Sequence, residues 1–239
     1  MKILTASVIA ACFAPFGTAS AYILIDNFSD AAGTSGSIVV INKASPPVTP
    51  VVVTQSQSGL MGVIGGSRRI SIVRQSTIGN SDRRITGTVT DFGSPIFEYD
   101  STSGADGAVD LGYGFSAALN ADFSLEKFID VRIEDYDFPG STALSASLRL
   151  ESPSGSKTVT GSFAQSGSGD LRFSLSDFTG VNLKNISLIN LRLDPPRGSD
   201  FEIQSIAATG ALAPIPETST LLPLGTLFGL SLAFRRRSR

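Results

Sequence analysis

Leu144-Ser145-Ala146-Ser147-Leu148-Arg149-Leu150-Glu151 decides the fold class of this chain. Apolar and polar residues alternate without a break, a period of two that sends one set into a core and the other into water. Antiparallel strands with one wet face read this way. Working outward, the alternation recurs where Ile129, Val131 and Ile133 interleave with Asp130, Arg132 and Glu134, and where Leu171, Phe173 and Leu175 interleave with Arg172, Ser174 and Ser176. Similar runs lie near 22–28, 36–42, 48–54, 68–74, 84–92, 95–99, 109–119, 127–134, 143–151, 157–163, 170–176 and 186–193, and one more near 200–208 closes the sheet. Turn residues separate them, among them Gly65-Gly66, Ser103-Gly104, Pro139-Gly140 and Pro195-Pro196. The apolar phase slips between Leu188 and Ile189, which predicts a bulge there. Residues 22–213 are therefore expected to form one all-β domain, an antiparallel two-sheet sandwich of jelly-roll type.

Composition narrows the chemistry. The 239 residues contain no His and a single Cys, Cys12, which lies in an N-terminal apolar stretch. Ser-His-Asp and Cys-His catalysis, thiolate zinc sites and a disulfide framework are excluded. The net charge of −2 hides an asymmetry: outside the two ends the chain keeps 14 of its 19 basic and 20 of its 21 acidic residues, a net of −6. An acidic body has no electrostatic footprint for nucleic acid.

The two ends read as addresses. Residues 1–21 combine Lys2, an apolar run from Ile3 to Phe16, and Ala19-Ser20-Ala21. That is the layout of a signal peptide handed to the secretion machinery, an N-terminal helix cut by signal peptidase at Ala19 and Ala21. Ile9-Ala10-Ala11-Cys12 also has lipobox form, a second route in which Cys12 is acylated. At the other end Pro214-Ile215-Pro216-Glu217 leads into an apolar segment, residues 218–234, and then Arg235-Arg236-Arg237-Ser238-Arg239. The 17 residues of that segment make a helix of roughly 25 Å at about 1.5 Å per residue, short for a hydrocarbon core of about 30 Å, as suits a thin or temporary transmembrane helix. The Arg cluster stays cytoplasmic, which places the body outside the inner membrane.

Here the chain resembles a known family. A Pro-Glu motif, a short transmembrane helix and a terminal Arg cluster are similar to the PEP-CTERM sorting signal of Gram-negative bacteria, with Thr218 where that signal has a second proline. The resemblance implies recognition of Pro216 and Glu217 by exosortase, a membrane cysteine protease-transpeptidase, with Arg235, Arg236 and Arg237 as the stop signal. It also implies export, and an association with extracellular polysaccharide at the cell surface. Ile25-Asp26-Asn27-Phe28, Gly65-Gly66-Ser67-Arg68-Arg69-Ile70 and Tyr113-Gly114 resemble an I-D-x-F strand and a G-G-x-R segment in a domain common among such proteins. That likeness implies a galactose-binding-like sandwich and names no ligand.

Within the body, chemistry-bearing residues are sparse. Asp135 and Asp137, with Asp26 or Asp200, are candidate ligands for calcium, a hard cation that takes carboxylate and carbonyl oxygens. Tyr113 and Tyr136, in Gly- or Asp-rich surroundings, are candidate glycan contacts in a chain without Trp. Glu134, Asp106 and Asp110 complete the acids a glycosidase would need, but such a pair must face across about 5–9.5 Å. Ser154 and Lys157 have Ser-x-x-Lys spacing inside a Pro-Gly turn, the wrong context for acyl transfer. Arg68-Arg69 and Arg83-Arg84 read as solvated pairs open to an acidic polysaccharide or to nearby Asp. The sequence points to a non-enzymatic exported protein with a structural or adhesive role. A calcium-dependent carbohydrate-binding module is the alternative, and a carboxylate hydrolase is third.

Overall fold

A computed structural model of the chain describes residues 22–29, 38–42, 51–77, 84–90, 95–102, 105–137, 143–164 and 167–210. The predicted signal helix, the Pro216-Glu217 motif, the 218–234 segment and the Arg cluster lie outside the described residues. Among the described residues no helix is long and apolar enough to cross a membrane. Ala21–Ala211 is a compact unit.

Among the described residues thirteen strands follow one another: β1 (Tyr22–Asp26), β2 (Ile38–Asn42), β3 (Val51–Ser58), β4 (Ser67–Thr77), β5 (Arg84–Thr90), β6 (Ile96–Ser101), β7 (Ala105–Tyr113), β8 (Phe128–Asp137), β9 (Leu144–Ser152), β10 (Gly155–Phe163), β11 (Gly169–Ser174), β12 (Leu188–Asp194) and β13 (Asp200–Thr209). They build two sheets. Sheet A runs β11-β8-β13-β6-β5-β2, with β1 also on β13; sheet B runs β10-β9-β12-β7-β4-β3. Every pairing is antiparallel. The predicted two-sheet sandwich is therefore the fold. The alternating apolar residues meet between the sheets, where Leu144, Leu148, Leu150, Val131, Ile133, Leu191 and Phe173 lose contact with solvent.

Three local departures from simple alternation decide which side chains reach the core. The first concerns β7, expected to continue to residue 119; it stops at Tyr113 because Gly114 turns into the left-handed region at φ +87°. Second, β12 begins at Leu188 and runs in register with both neighbours, so the phase slip there needs no bulge. Ile186 is buried instead through a separate bridge to Ala121. Third, a bulge does occur on β8: Ile133 pairs with Ile203 and Asp135 with Glu202, which leaves Glu134 as an extra residue. That extra residue reverses the alternation, so Tyr136 points into the core while Asp135 and Asp137 face water.

Candidate functional site

Three of the short segments that the sequence singled out meet in one buried junction. Asp26 ends β1 in sheet A; Arg68 (β4), Tyr113 (β7) and Gln57 (β3) belong to sheet B. Arg68 Nη1 donates to both Asp26 oxygens at 2.9 and 3.0 Å, the Tyr113 hydroxyl donates at 2.9 Å, and the Phe28 amide donates at 2.7 Å. The rest of the guanidinium is held by Gln57 Oε1, which accepts from Nε at 3.1 Å and Nη2 at 2.7 Å. The Phe28 ring lies 5.3 Å from the guanidinium carbon. Burial pushes the Asp26 carboxyl up, while Arg68 and the donated hydrogen bonds pull it back. Burial and the neighbouring Asp26 push the Tyr113 phenol well up, which keeps it a donor.

This junction corrects two expectations. Asp26 has no exposed surface and its oxygens are taken by Arg68, Tyr113 and the Phe28 amide, so it is not a calcium ligand. Arg68 is not a solvated cation but the buried partner of Asp26. Local geometry holds the arrangement. The Asn27 amide donates to the Gly62 carbonyl at 3.1 Å, and a Cβ on Gly62 would collide with Asn27 Oδ1, so that position requires glycine.

The two tyrosines expected to touch glycans are core residues. Tyr113 is fully buried on Asp26, and Tyr136 is buried with its ring edge-on to Phe163 at 5.9 Å. Neither presents a face to a sugar. The Tyr113 case was visible in the alternation of Val109, Leu111 and Tyr113; the Tyr136 case depends on the bulge at Glu134.

Asp135 and Asp137 stand on the outer face of sheet A in an array of acids. Glu98, Glu202 and Asp135 fall in one row across β6, β13 and β8, and Asp200 lies opposite Asp137 in the next. Burial pushes the Glu202 carboxyl up, reinforced by Glu98, Asp135 and Glu134; burial likewise raises Asp200, with Asp100 and Asp137 adding to it. A cavity of about 60 Å³ lies among these side chains. Among the described residues no group of three or more acids is placed to hold a metal ion. The calcium candidates Asp135 and Asp137 thus stand in two successive rows of this acid array.

The outer face of sheet B is different in kind. One row across it reads Thr160, Ser147, Arg192, Asp110, Ser71 and Thr54; the next reads Thr158, Arg149, Asn190, Gly112, Arg69 and Ser56. Both rows are polar: Arg192, Arg149 and Arg69 supply donors, Asp110 a carboxylate, and Asn190 and the hydroxyls both kinds of partner. Arg192 donates to Asp110 at 3.2 Å, Arg149 pairs with Glu151 at 2.6 Å, and Gln75 donates to Asp194 at 3.2 Å. In the middle of the second row the Phe115 ring folds back over Gly112, where a Cβ would collide with the ring. The Arg69 guanidinium stacks on that ring, 3.2 Å from its centroid. Toward the other edge of the same face, on β10, β9 and β12, Ser145, Ser147, Thr160, Arg192 and Asp194 line a hollow of about 180 Å³. Sequence reasoning missed this platform. The one signal was Gly112, a glycine inside a strand, which marks a close approach.

No protein-family model matches the chain, and no curated protein is significantly similar to it. Solved structures overlap with it at low similarity. One is a family 11 carbohydrate-binding module from Clostridium thermocellum, in complex with a beta-1,3-1,4-mixed-linked tetrasaccharide (16% identity, 81% of this chain and 98% of that chain, TM-score 0.39). Another is the family 30 carbohydrate-binding module of a cellulosomal cellulase of the same organism (17% identity, 73% and 98%, TM-score 0.36). Overlaps of that size carry no ligand or activity to this chain, and its own residues have to supply the functional reading.

Proposed function

We propose that this chain is an exported, non-catalytic polysaccharide-binding protein whose glycan lies across the outer face of sheet B. The observation that carries the reading is the Arg69–Phe115 stack over Gly112, set at 3.2 Å within a wall of Arg, Asn, Asp, Ser and Thr side chains. A polyol needs both kinds of partner from one surface, and Arg, Asn, Asp, Ser and Thr supply them in fixed rows. The Asp110 and Asp194 carboxylates of this face are each held by a donor, Arg192 or Gln75, which suits recognition of hydroxyls rather than acid-base work.

Export and sorting complete the proposal. Lys2, the apolar run and Ala19-Ser20-Ala21 support passage through the secretion machinery; Pro216-Glu217, residues 218–234 and Arg235-Arg236-Arg237 support processing by exosortase at the inner membrane. The body then acts at the cell surface, adhesive because it binds extracellular polysaccharide.

The test is calorimetric titration of the compact unit, residues 21–211, with the producing cell's own exopolysaccharide and a panel of neutral glycans. Arg192→Ala and Phe115→Ala should each weaken binding about tenfold, or ~1.4 kcal/mol, with unchanged melting. No binding by the parent protein, or equal binding by the parent and both variants, overturns the proposal.

A further inference from the structure

Among the described residues, strand β3 is an edge of sheet B with one side unpaired. It pairs with β4 from Val51 to Ser58 without a register shift, and among the described residues no strand covers its other side. Such an edge invites another strand unless it is blunted by charge, proline or a bulge. None of these devices is present. Residues 44–67 contain no Asp, Glu, Lys or Arg, a gap of 24 residues in a body whose net charge is −6, and Val51–Ser58 contains no proline. Val52 and Val53 are 55% and 36% exposed. The opposite edge of the same sheet, β10, carries Lys157, and the sheet A edge β11 carries Asp170 and Arg172, both in exposed ion pairs. The other strands with a side that no described strand covers, β2 and β1, are each only five residues long.

We infer that β3 pairs antiparallel with the β3 of a second copy of this chain, across a twofold axis perpendicular to the sheet. Two acidic bodies can approach at close range only where neither presents charge, and β3 is that place. A twofold at Thr54 sets the Val52 of each copy opposite the Ser56 of the other, so that no like charges meet. The pairing is isologous and closed, which stops at a dimer. It joins the two sheet B outer faces edge to edge without covering either. The inference rests on the edge of β3, whose Thr54 and Ser56 also end the two rows of that face, and its test reads association rather than glycan binding.

Residues 21–211 contain no cysteine, so single thiols can report the contact. Sedimentation velocity of this unit from about 1 µM to about 1 mM, the span over which a small interface fills, should show a monomer–dimer equilibrium. Thr54→Lys places two cations beside the axis and should leave a monomer with unchanged melting. Thr54→Cys should form a disulfide dimer under mild oxidation about tenfold or more faster than Thr158→Cys, on the far edge strand, because pairing raises the local thiol concentration. A monomer at every concentration overturns the inference, whether or not the edge takes up the strand of some other protein. A dimer that survives Thr54→Lys without preferential crosslinking at Thr54→Cys overturns it too, since another surface then holds the copies together.

Discussion

Asp26 and Arg68 meet at 2.9 Å with neither side chain touching water, and they come from opposite sheets of the sandwich. Each removes from the other the cost of a bare buried charge, and Tyr113 and Gln57 satisfy what remains. Asp26→Asn leaves the Arg68 guanidinium buried without its counter-ion. Chemical denaturation should show a loss of about 3–5 kcal/mol. Combining it with Arg68→Met should recover part of that loss, since an apolar side chain carries no charge to strand. If the double variant is as unstable as the single one, the pair is not the source of the effect.

Gly112→Ala tests the platform on sheet B without touching a polar group. The added Cβ meets the Phe115 ring, the movable end of a side chain, and lifts it from beneath Arg69. The expected cost in stability is small, under about 1.5 kcal/mol, while glycan binding by titration falls severalfold. Loss of stability with binding intact would separate Phe115 from the binding surface.

The acid array on sheet A sets a pH dependence. Glu202 and Asp200 have folded-state values raised above their ordinary ones, by burial first and then by neighbouring carboxylates. In the window between the ordinary and the raised values the folded state holds more protons than the unfolded state, so stability falls as pH rises through it. The melting temperature should therefore climb as pH is lowered from neutrality toward the ordinary carboxylate values. Glu202→Gln should raise the melting temperature at neutral pH and flatten the slope, leaving the share due to Asp200. A slope that steepens instead would contradict repulsion along the Glu98–Glu202–Asp135 row.

Sorting is tested in cells. Replacing Glu217 by Ala, or Arg235, Arg236 and Arg237 together by Ser, should leave a larger species retained in the membrane fraction. Immunoblots of fractionated cells read both size and place. Normal size and normal surface delivery in both variants would remove exosortase processing from the proposal.

The strands were legible because burial imposes a period of two, and Leu144, Ala146, Leu148 and Leu150 show it without interruption. The two tyrosines were misread for different reasons. Tyr113 follows Val109 and Leu111 in phase, so its Gly-rich neighbours outweighed an alternation that was present. Tyr136 depends on the extra residue at Glu134, and a bulge is set by pairing with β13, which no window on β8 contains. Arg68 was opaque because adjacent arginines look alike in sequence. Strand parity sends Arg69 outward to Phe115 and Arg68 inward to an acid 42 residues earlier. The platform on sheet B was hidden because its rows run across six strands, and only the pairing of those strands brings the residues together.

The pairing of β1 with β13, Tyr22 opposite Thr209, has a consequence for the order of events in the cell. The first strand of the body has the last for its neighbour, and β13 is also the strand that joins β8 to β6. Sheet A stays divided until residues 200–209 are present. On the proposed export route, a chain still threading a translocon would have no closed core, and the sandwich would close only after passage. Folding is slow in any case, because its decisive contacts span nearly the whole sequence.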